Sequence, residues 1–374
     1  MFISNYHILK AKAKADVAEM FNSCISQLST KEPVVRLSVF WAPNDNCCYE
    51  NDKKLMLAAI AQKFETNHPA VSFIAQKPLD TAMAVEVVQV TDNKELKIDY
   101  LDYHGLHYVK ASTSNYSELH ISGLSASLQL PVRTQSHDIF NTLSAILEKE
   151  EMSINSIVRQ WNYIERITDM DGKYQRYQLF NDERTSFYEK TDWPKGYPAA
   201  TGIGTQFGGI IVDCIAVSGQ FKELPLANPL QTDAHVYTQD VLIGAEDEVR
   251  KIKTTPKFER AKFIGNDNCA AIYVSGTAAI RGEESLGIGQ PAEQTDVTLE
   301  NIAQLMKHQN LSEIFDVESK PEILRVYIKQ AEDFDTIQQA CLKHHADIPV
   351  SYLLSNICRD ELLVEIEAVA SCSI

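Results

Sequence analysis

The sequence predicts an α+β protein built from three tandem α/β units in one chain. Two observations carry this. Segments with period-2 alternation, the signature of strands, interleave with apolar stripes at helical spacing. One order of elements, helix, strand, helix, strand, strand, also comes round three times along the chain, and a period of that kind marks a repeat architecture. A motif links the last two copies. Ile121-Ser122-Gly123 matches Val274-Ser275-Gly276, and 211–217 matches 363–369. Gly123 to Asp213 is 90 positions and Gly276 to Glu365 is 89.

In the first unit, Val17, Met20, Phe21, Ile25 and Leu28 stripe a helix within 11–29, and Pro33 ends it. Residues 34–41 read as a strand, 51–64 as a helix, and 71–75 and 83–90 as strands. Val85-Glu86-Val87-Val88 sits where Val364-Glu365-Ile366-Glu367 sits in the third unit. The first unit is expected to lack its front strands. In the second unit, Ser136 is a plausible cap before a stripe of Ile139, Phe140, Leu143, Ile146 and Leu147. Residues 154–164 read as a strand, 173–190 as a helix, and 200–203 and 209–217 as strands. Residues 219–260, with Pro225, Asn228-Pro229 and Pro256, read as a connector with a functional role. In the third unit, Leu299, Ile302, Leu305 and Met306 stripe one helix, and Phe334, Ile337, Ala340 and Cys341 another. Strands are expected at 323–328, 348–354 and 362–370. The expected boundaries are 1–218 for an N-terminal domain of two degenerate units, 1–100 and 101–218, and 219–374 for a C-terminal domain.

Composition is that of an ordinary globular protein, 44% hydrophobic and 23% charged over 374 residues. The net charge of -16 argues against a nucleic-acid partner, which needs a basic surface. The eight cysteines are scattered, with no C-x-x-C and no metal-ligand spacing. No apolar leader segment opens the sequence and no run of 18 apolar residues occurs. These features predict a cytoplasmic protein with reduced thiols, without membrane or metal. His104, His107 and His120 are too dispersed for a metal site, and His344-His345 reads as a helix C-terminal contact. Gly202-Ile203-Gly204 and Gly208-Gly209 open no helix after a buried strand, so no dinucleotide fingerprint follows.

Chemistry concentrates in the third unit. Val364, Ile366 and Ala368 alternate with Glu365 and Glu367, which places both carboxylates on one sheet face about 6.8 Å apart along the strand. A strand with one wet face explains the pattern as well as a carboxylate held in a cleft as a general acid. Arg325 and Tyr327 lie on the neighbouring strand, on the face opposite Leu324, Val326 and Ile328. They are placed either to meet Glu365 or to form a buried structural pair.

Ser275-Gly276, Gln294-Thr295 with Leu299-Glu300-Asn301, and Val364-Glu365-Ile366-Glu367-Ala368 together resemble the YjgF/RidA family. That resemblance implies a fold in which three α/β units surround a pseudo-trimeric barrel with sites between units, here made covalent. The imine-deaminating members carry an arginine after a proline where this chain has Pro349-Val350-Ser351-Tyr352, so their reaction is not implied. A second set of blocks runs through 155–374: Arg159-Gln160-Trp161-Asn162-Tyr163-Ile164, Arg176-Tyr177-Gln178-Leu179-Phe180-Asn181, Pro198-Ala199-Ala200-Thr201-Gly202, Asn228-Pro229 and Phe258-Glu259-Arg260-Ala261 precede Ser275-Gly276-Thr277-Ala278. In that order they are similar to the chorismatases, which cleave chorismate to pyruvate plus a cyclic carboxylate.

The resemblance implies Glu365 as the general acid, Cys358 as the mark of the branch that forms 3-hydroxybenzoate, and Tyr237, Arg260, Thr277, Ala279, Arg325 and Tyr327 as substrate-binding positions. Ala279, more often glycine in that branch, points mildly the other way. Chorismate is then the small-molecule partner, with no metal or organic cofactor, in a monomer or weak dimer. The alternatives are a hydrolytic chorismatase giving a dihydroxycyclohexadiene carboxylate, and a non-catalytic module that binds a small carboxylate.

Overall fold

A computed structural model describes the chain except for residues 1, 30, 92–94, 237, 239–253, 267–268, 308–317 and 374. Three sheets follow one another along the sequence. The first holds β1 (Ser4–Ala11), β2 (Val34–Phe40), β3 (Ala70–Ile74) and β4 (Met83–Val90), with α1 (Val17–Ile25) and α2 (Asn46–Phe64) in the crossovers. The second unit runs β5 (Lys97–Tyr103), β6 (Leu106–Ser112), β7 (Tyr116–Ser125), α3 (Val132–Lys149) and β8 (Ile157–Glu165). A small ribbon of β9 (Met170–Asp171) and β10 (Tyr174–Gln175) then leads to α4 (Arg176–Tyr188), β11 (Ala199–Thr205) and β12 (Ile210–Gly219). The third runs β13 (Lys222–Leu226), β14 (Ala261–Gly265), β15 (Ala270–Ala278), the ribbon β16 (Ile280–Arg281) with β17 (Glu284–Ser285), α5 (Pro291–Leu305), β18 (Glu318–Ile328), α6 (Phe334–His344), β19 (Val350–Leu354) and β20 (Val364–Ser373).

The sheet orders are β1-β4-β2-β3, β11-β8-β12-β7-β6-β5 and β13-β14-β15-β20-β18-β19. Each contains one parallel pair joined across a helix: β2 with β3, β8 with β11, β18 with β19. The repeat is therefore real at the level of topology. Three expectations change. Ser136 is not a cap: it lies buried inside α3, which starts at Val132, and its hydroxyl donates to Val132 O at 2.8 Å. The first unit does own a front strand, since Ser4–Ala11 pairs antiparallel with β4. The stretch 219–260 is not all connector, because Lys222–Leu226 pairs with β14 and supplies the edge of the third sheet. Both strands carry mixed polar and apolar residues at half-exposed positions, so neither shows a clean alternation.

Each of the second and third sheets has two apolar faces. The outer face of the second packs Ile121, Val212 and Cys214 against the α3 stripe of Ile139, Phe140, Leu143, Ile146 and Leu147. That of the third packs Val274, Val326 and Ile366 against Leu299, Ile302 and Leu305 of α5 and Ile337 of α6. The inner faces meet in one shared core, with Val39 and Val87 of the first sheet, Trp161 and Ile211 of the second, and Tyr273 and Tyr327 of the third. No closed hydrogen-bonded barrel forms among the described residues; each sheet keeps its own edges. The sheets meet in cyclic order: Gly123 of β7 lies against the Val71 carbonyl of β3, the Ala200 N–H of β11 donates to Ser275 of β15 at 2.8 Å, and the Leu79 N–H reaches Tyr352 O of β19 at 3.0 Å.

Strand register fixes which residues correspond. Glu86 pairs with Ser38, which pairs with Ser72; Asp213 with Trp161 and Thr201; Glu367 with Arg325 and Ser351. Glu86, Asp213 and Glu367 are thus equivalent. Ala278 opposes Glu365 as Ser125 opposes Ile211, so Ile211, not Asp213, stands in the place of Glu365. The sequence match is off by two residues, a shift that keeps every side chain on its own face of a strand.

Candidate active site

A cleft opens between α4 and β11 of the second unit and β15 and β20 of the third. A bulge builds its floor. The β15–β20 register slips between Val274 and Thr277, and Ser275 and Gly276 fill the slip. Ser275 Oγ accepts the Ala200 N–H at 2.8 Å and donates to Glu259 O at 2.6 Å; the Gly276 N–H donates to Thr201 Oγ1 at 3.0 Å. A Cβ on Gly276 would collide with Glu365 Oε1 and lie 3.1 Å from Thr201 Cγ2. The absence of a side chain there is what lets the Glu365 carboxyl lie over the backbone.

The two carboxylates of β20 have opposite surroundings. Glu367 is held by the Arg159 guanidinium at 2.8 Å, the Trp161 indole N–H at 2.8 Å, Arg325 at 2.9 Å and the Thr201 hydroxyl. Its pKa is lowered despite burial, which on its own would raise it, because two arginines and these donors favour the anion. Among the described residues no hydrogen bond or ion pair holds Glu365. Burial, and then the neighbouring Glu367 anion, push its pKa up to about 8, against weaker pulls from Arg159 and Arg260. One carboxyl stays ionised and structural; the other is neutral at neutral pH and free to donate a proton.

Three arginines line the cleft: Arg184, Arg260 and Arg359. Arg184 is 1% exposed, bonds Asn181 Oδ1 at 2.7 Å and leaves its Nε without a partner. Arg260 donates to Thr232 O at 2.5 Å and Arg359 to Glu283 O at 2.9 Å. Tyr177 packs on Gly202 of β11, where an added Cβ would stand 3.0 Å from its ring. Phe258, Ala278 and Leu362 add apolar wall, and Cys358 completes the lining with a thiol that burial raises to about 12, so it is neutral. Such a cavity suits a small dianion with an apolar ring.

Of the positions expected from sequence, Glu365, Cys358 and Arg260 come together here. Four do not line the cleft. Thr277 is buried with its hydroxyl on Ser275 O at 2.8 Å. Ala279 is fully buried, and its neighbour Ala278 takes the lining position. Arg325 and Tyr327 sit in the inner core, where Arg325 bridges Glu86 Oε1 at 3.0 Å, Tyr163 at 2.8 Å, Tyr327 at 3.2 Å and Glu367. The buried anions Glu86 and Glu367 claim this arginine before the cleft can. Tyr237 lies outside the described residues. Sequence reasoning missed Arg184, Arg359, Tyr177 and Asn181. A signal existed for three of them: Tyr177, Asn181 and Arg184 fall at i, i+4 and i+7, a polar stripe on one helix face.

Residues 96–216 match the family model described as chorismatase FkbO/Hyg5-like, N-terminal. A chorismatase of Streptomyces rapamycinicus is 32% identical over 234 residues, 58% of this chain and 64% of that protein. Over these stretches the chain is similar to the chorismatases. A 3-hydroxybenzoate synthase of Streptomyces hygroscopicus is 29% identical over 232 residues, 59% of this chain and 65% of that one. In both cases the match spans just under two thirds of the relative's length. A crystal structure of a chorismatase superposes with a TM-score of 0.69 at 21% identity, covering 98% of each chain. The chain therefore shares that protein's mixed α+β fold. Among the described residues no helix is long and apolar enough to cross a membrane, and no group of three or more histidines, cysteines or carboxylates stands ready for a metal.

Proposed function

We propose that this protein cleaves chorismate to pyruvate and 3-hydroxybenzoate, with Glu365 as general acid. The observation that carries the reading is an unpaired carboxyl, raised to about 8 by burial and by Glu367, in a cleft lined by three arginines. Chorismate is a dianion with an enol-pyruvyl ether. Arginines suit bidentate capture of its carboxylates. The proton of Glu365 passes to the terminal methylene carbon of the ether and gives an oxocarbenium-like centre, stabilised by the carboxylate left behind and by fixed Glu367. Cleavage releases pyruvate. Pyruvate plus 3-hydroxybenzoate has the formula of chorismate, so no water is consumed. The bond from ring C3 to the ether oxygen breaks, and the C4 hydroxyl oxygen bonds to C3 and loses its proton, balancing the one supplied. The epoxide so formed opens at its C4–O bond and aromatises with the hydroxyl left on C3. Cys358, a neutral thiol in the same lining, is assigned to that ring step, whereas the hydrolytic course would add a water. The name of the 29% identical relative favours the aromatising branch, and Ala279, whose identity points the other way in sequence, does not line the cleft.

The test is incubation of the purified protein with chorismate, with pyruvate followed by coupled NADH loss and the ring product identified by NMR. Pyruvate release with 3-hydroxybenzoate is expected. Pyruvate at the spontaneous rate overturns the reading, and a non-aromatic diol overturns the branch assignment alone.

A further inference from the structure

The cleft just described has a counterpart one unit back, between the first and second sheets. Register makes the two comparable position by position. Gly123 occupies the β7 bulge as Gly276 occupies that of β15. Val71 of β3 stands where Ala200 of β11 stands, and Ser125 where Ala278 stands. Tyr49 of α2 backs this cleft as Tyr177 of α4 backs the other, its hydroxyl on Phe73 O at 2.9 Å. The acid is missing: Ile211 takes the place of Glu365. This second cleft offers about 360 Å³, so it has not collapsed around the loss.

Its lining joins one lysine, Lys53, to imidazoles and apolar walls, and burial lowers the pKa of His68, so that ring adds no charge at neutral pH. Lys53, His68, His104 and His107 face it, and no aspartate or glutamate lines it among the described residues, in a chain with a net charge of -16. Lys53 has no ion pair or hydrogen bond among the described residues; Glu50, on its own helix, is the nearest acidic influence, and Asp102 stands behind His107 at 3.8 Å. His68 and His107 stack with centroids 4.2 Å apart, one from each unit. Ser122 gives a second, independent sign. Its equivalent, Ser275, is saturated by Ala200 and Glu259. Ser122 is 0% exposed, lines the cleft, and its hydroxyl has no partner. A buried hydroxyl without a partner costs about 1–3 kcal/mol, which a bound acceptor would relieve.

We propose that this cleft is a second, non-catalytic binding site for a small carboxylate carrying an apolar ring. Lys53 pairs with the carboxylate, Ser122 donates to it or to a ring oxygen, and Phe73, Leu106, Leu124 and Ile211 receive the ring. With Ile211 in place of the acid, the site holds its ligand without turning it over.

Benzoate is the probe. Calorimetric titration of the full chain is compared with K53M, which keeps the aliphatic stem, and with T142E, which sets a negative charge at the lining without touching the core. Both are expected to weaken benzoate binding tenfold or more, the worth of one charge-assisted hydrogen bond. Both should leave the initial rate of pyruvate release from chorismate unchanged in the absence of benzoate. No benzoate binding, or binding equally tight in folded K53M, overturns the proposal; T142E decides the matter if K53M does not fold. Benzoate binding is read without turnover, so failure of chorismate cleavage and failure of this site are separate results.

Discussion

At Glu365 and Glu367, two residues apart on β20, environment alone divides the labour, and substitutions should expose the division. E365Q keeps the shape and removes the proton; general acid catalysis is worth ~10²–10⁴-fold, so kcat for pyruvate release should fall by at least the lower figure. Its stability at neutral pH should not fall and should rise, because the parent must take up on folding a proton that the unfolded glutamate, at 4.5, has already lost, and glutamine need not. E367Q should do the reverse to stability. It leaves Arg159 and Arg325 facing each other's charge in the core, and breaking a buried pair costs about 3–5 kcal/mol. Denaturant melts of the two variants side by side check this, and equal destabilisation would remove the distinction.

The pH dependence follows with its sign. Folding raises the Glu365 pKa from 4.5 to about 8, so the folded state holds a proton that the unfolded state loses across that window. The stabilising contribution is complete below the unfolded value and is lost as pH rises through about 8. The same proton does the chemistry, so kcat/KM should fall tenfold per unit above pH 8, and the fall in kcat should lie higher because a bound dianion favours the neutral acid. C358A should leave pyruvate release within about tenfold, roughly 1.4 kcal/mol of barrier, and lower the share of 3-hydroxybenzoate. Product analysis showing an unchanged ratio would return Cys358 to a packing role.

At the scale of elements, the β-bulge is the device that makes the site. It turns Gly276 toward β20 so that Glu365 lies on bare backbone and Thr201 reaches both the Gly276 N–H and Glu367. G276A should therefore displace the Glu365 carboxyl, and its cost should appear mostly in kcat, with the melting temperature changed less; a variant with normal turnover would mean that the carboxyl need not sit there. Elements of this kind divided the sequence into legible and illegible parts. The helical stripes on α3, α5 and α6 pack inward as read, with Met306 and Phe334 only partly buried, because their outer faces meet water and the contrast survives in the sequence. Strands buried on both faces, such as β2 and β4, lose that contrast. Their register could not be read, and with period 2 a slip of two residues costs nothing in pattern. That is why Asp213 was matched to Glu365 when it belongs with Glu367. Glu365 itself was legible through its neighbours in sequence. Arg325 was misplaced because its partners, Glu86 and Glu367, come from different units 239 and 42 positions away.

At the scale of the whole molecule, the three interfaces between units have diverged from one plan. Ser72 donates to Asp213 at the first, and Thr201 to Glu367 at the second. At the third, Ser351 would meet Glu86, but Arg325 has taken that carboxylate and the Ser351 hydroxyl has no partner. The same ring of hydroxyl and carboxylate pairs thus serves as scaffold at one interface, supports a candidate acid at another and is broken at the last. Covalent linkage allows this, because three unlinked identical subunits would have to carry one sequence at all three interfaces. Linkage also bears on assembly. The inner faces of all three sheets, the surface that separate subunits would bury by associating, are already covered in one chain by the shared core and by the ion pairs Arg159–Glu367 and Arg325–Glu86. Among the described residues the exposed large apolar side chains, such as Leu55, Ile288 and Leu342, are scattered, and isolated exposures of this kind do not drive association. The chain should therefore run as a monomer, or a weak dimer that dissociates on dilution. Light scattering across a range of concentrations measures this directly, and an obligate trimer would show that the three linked units do not close on themselves in solution.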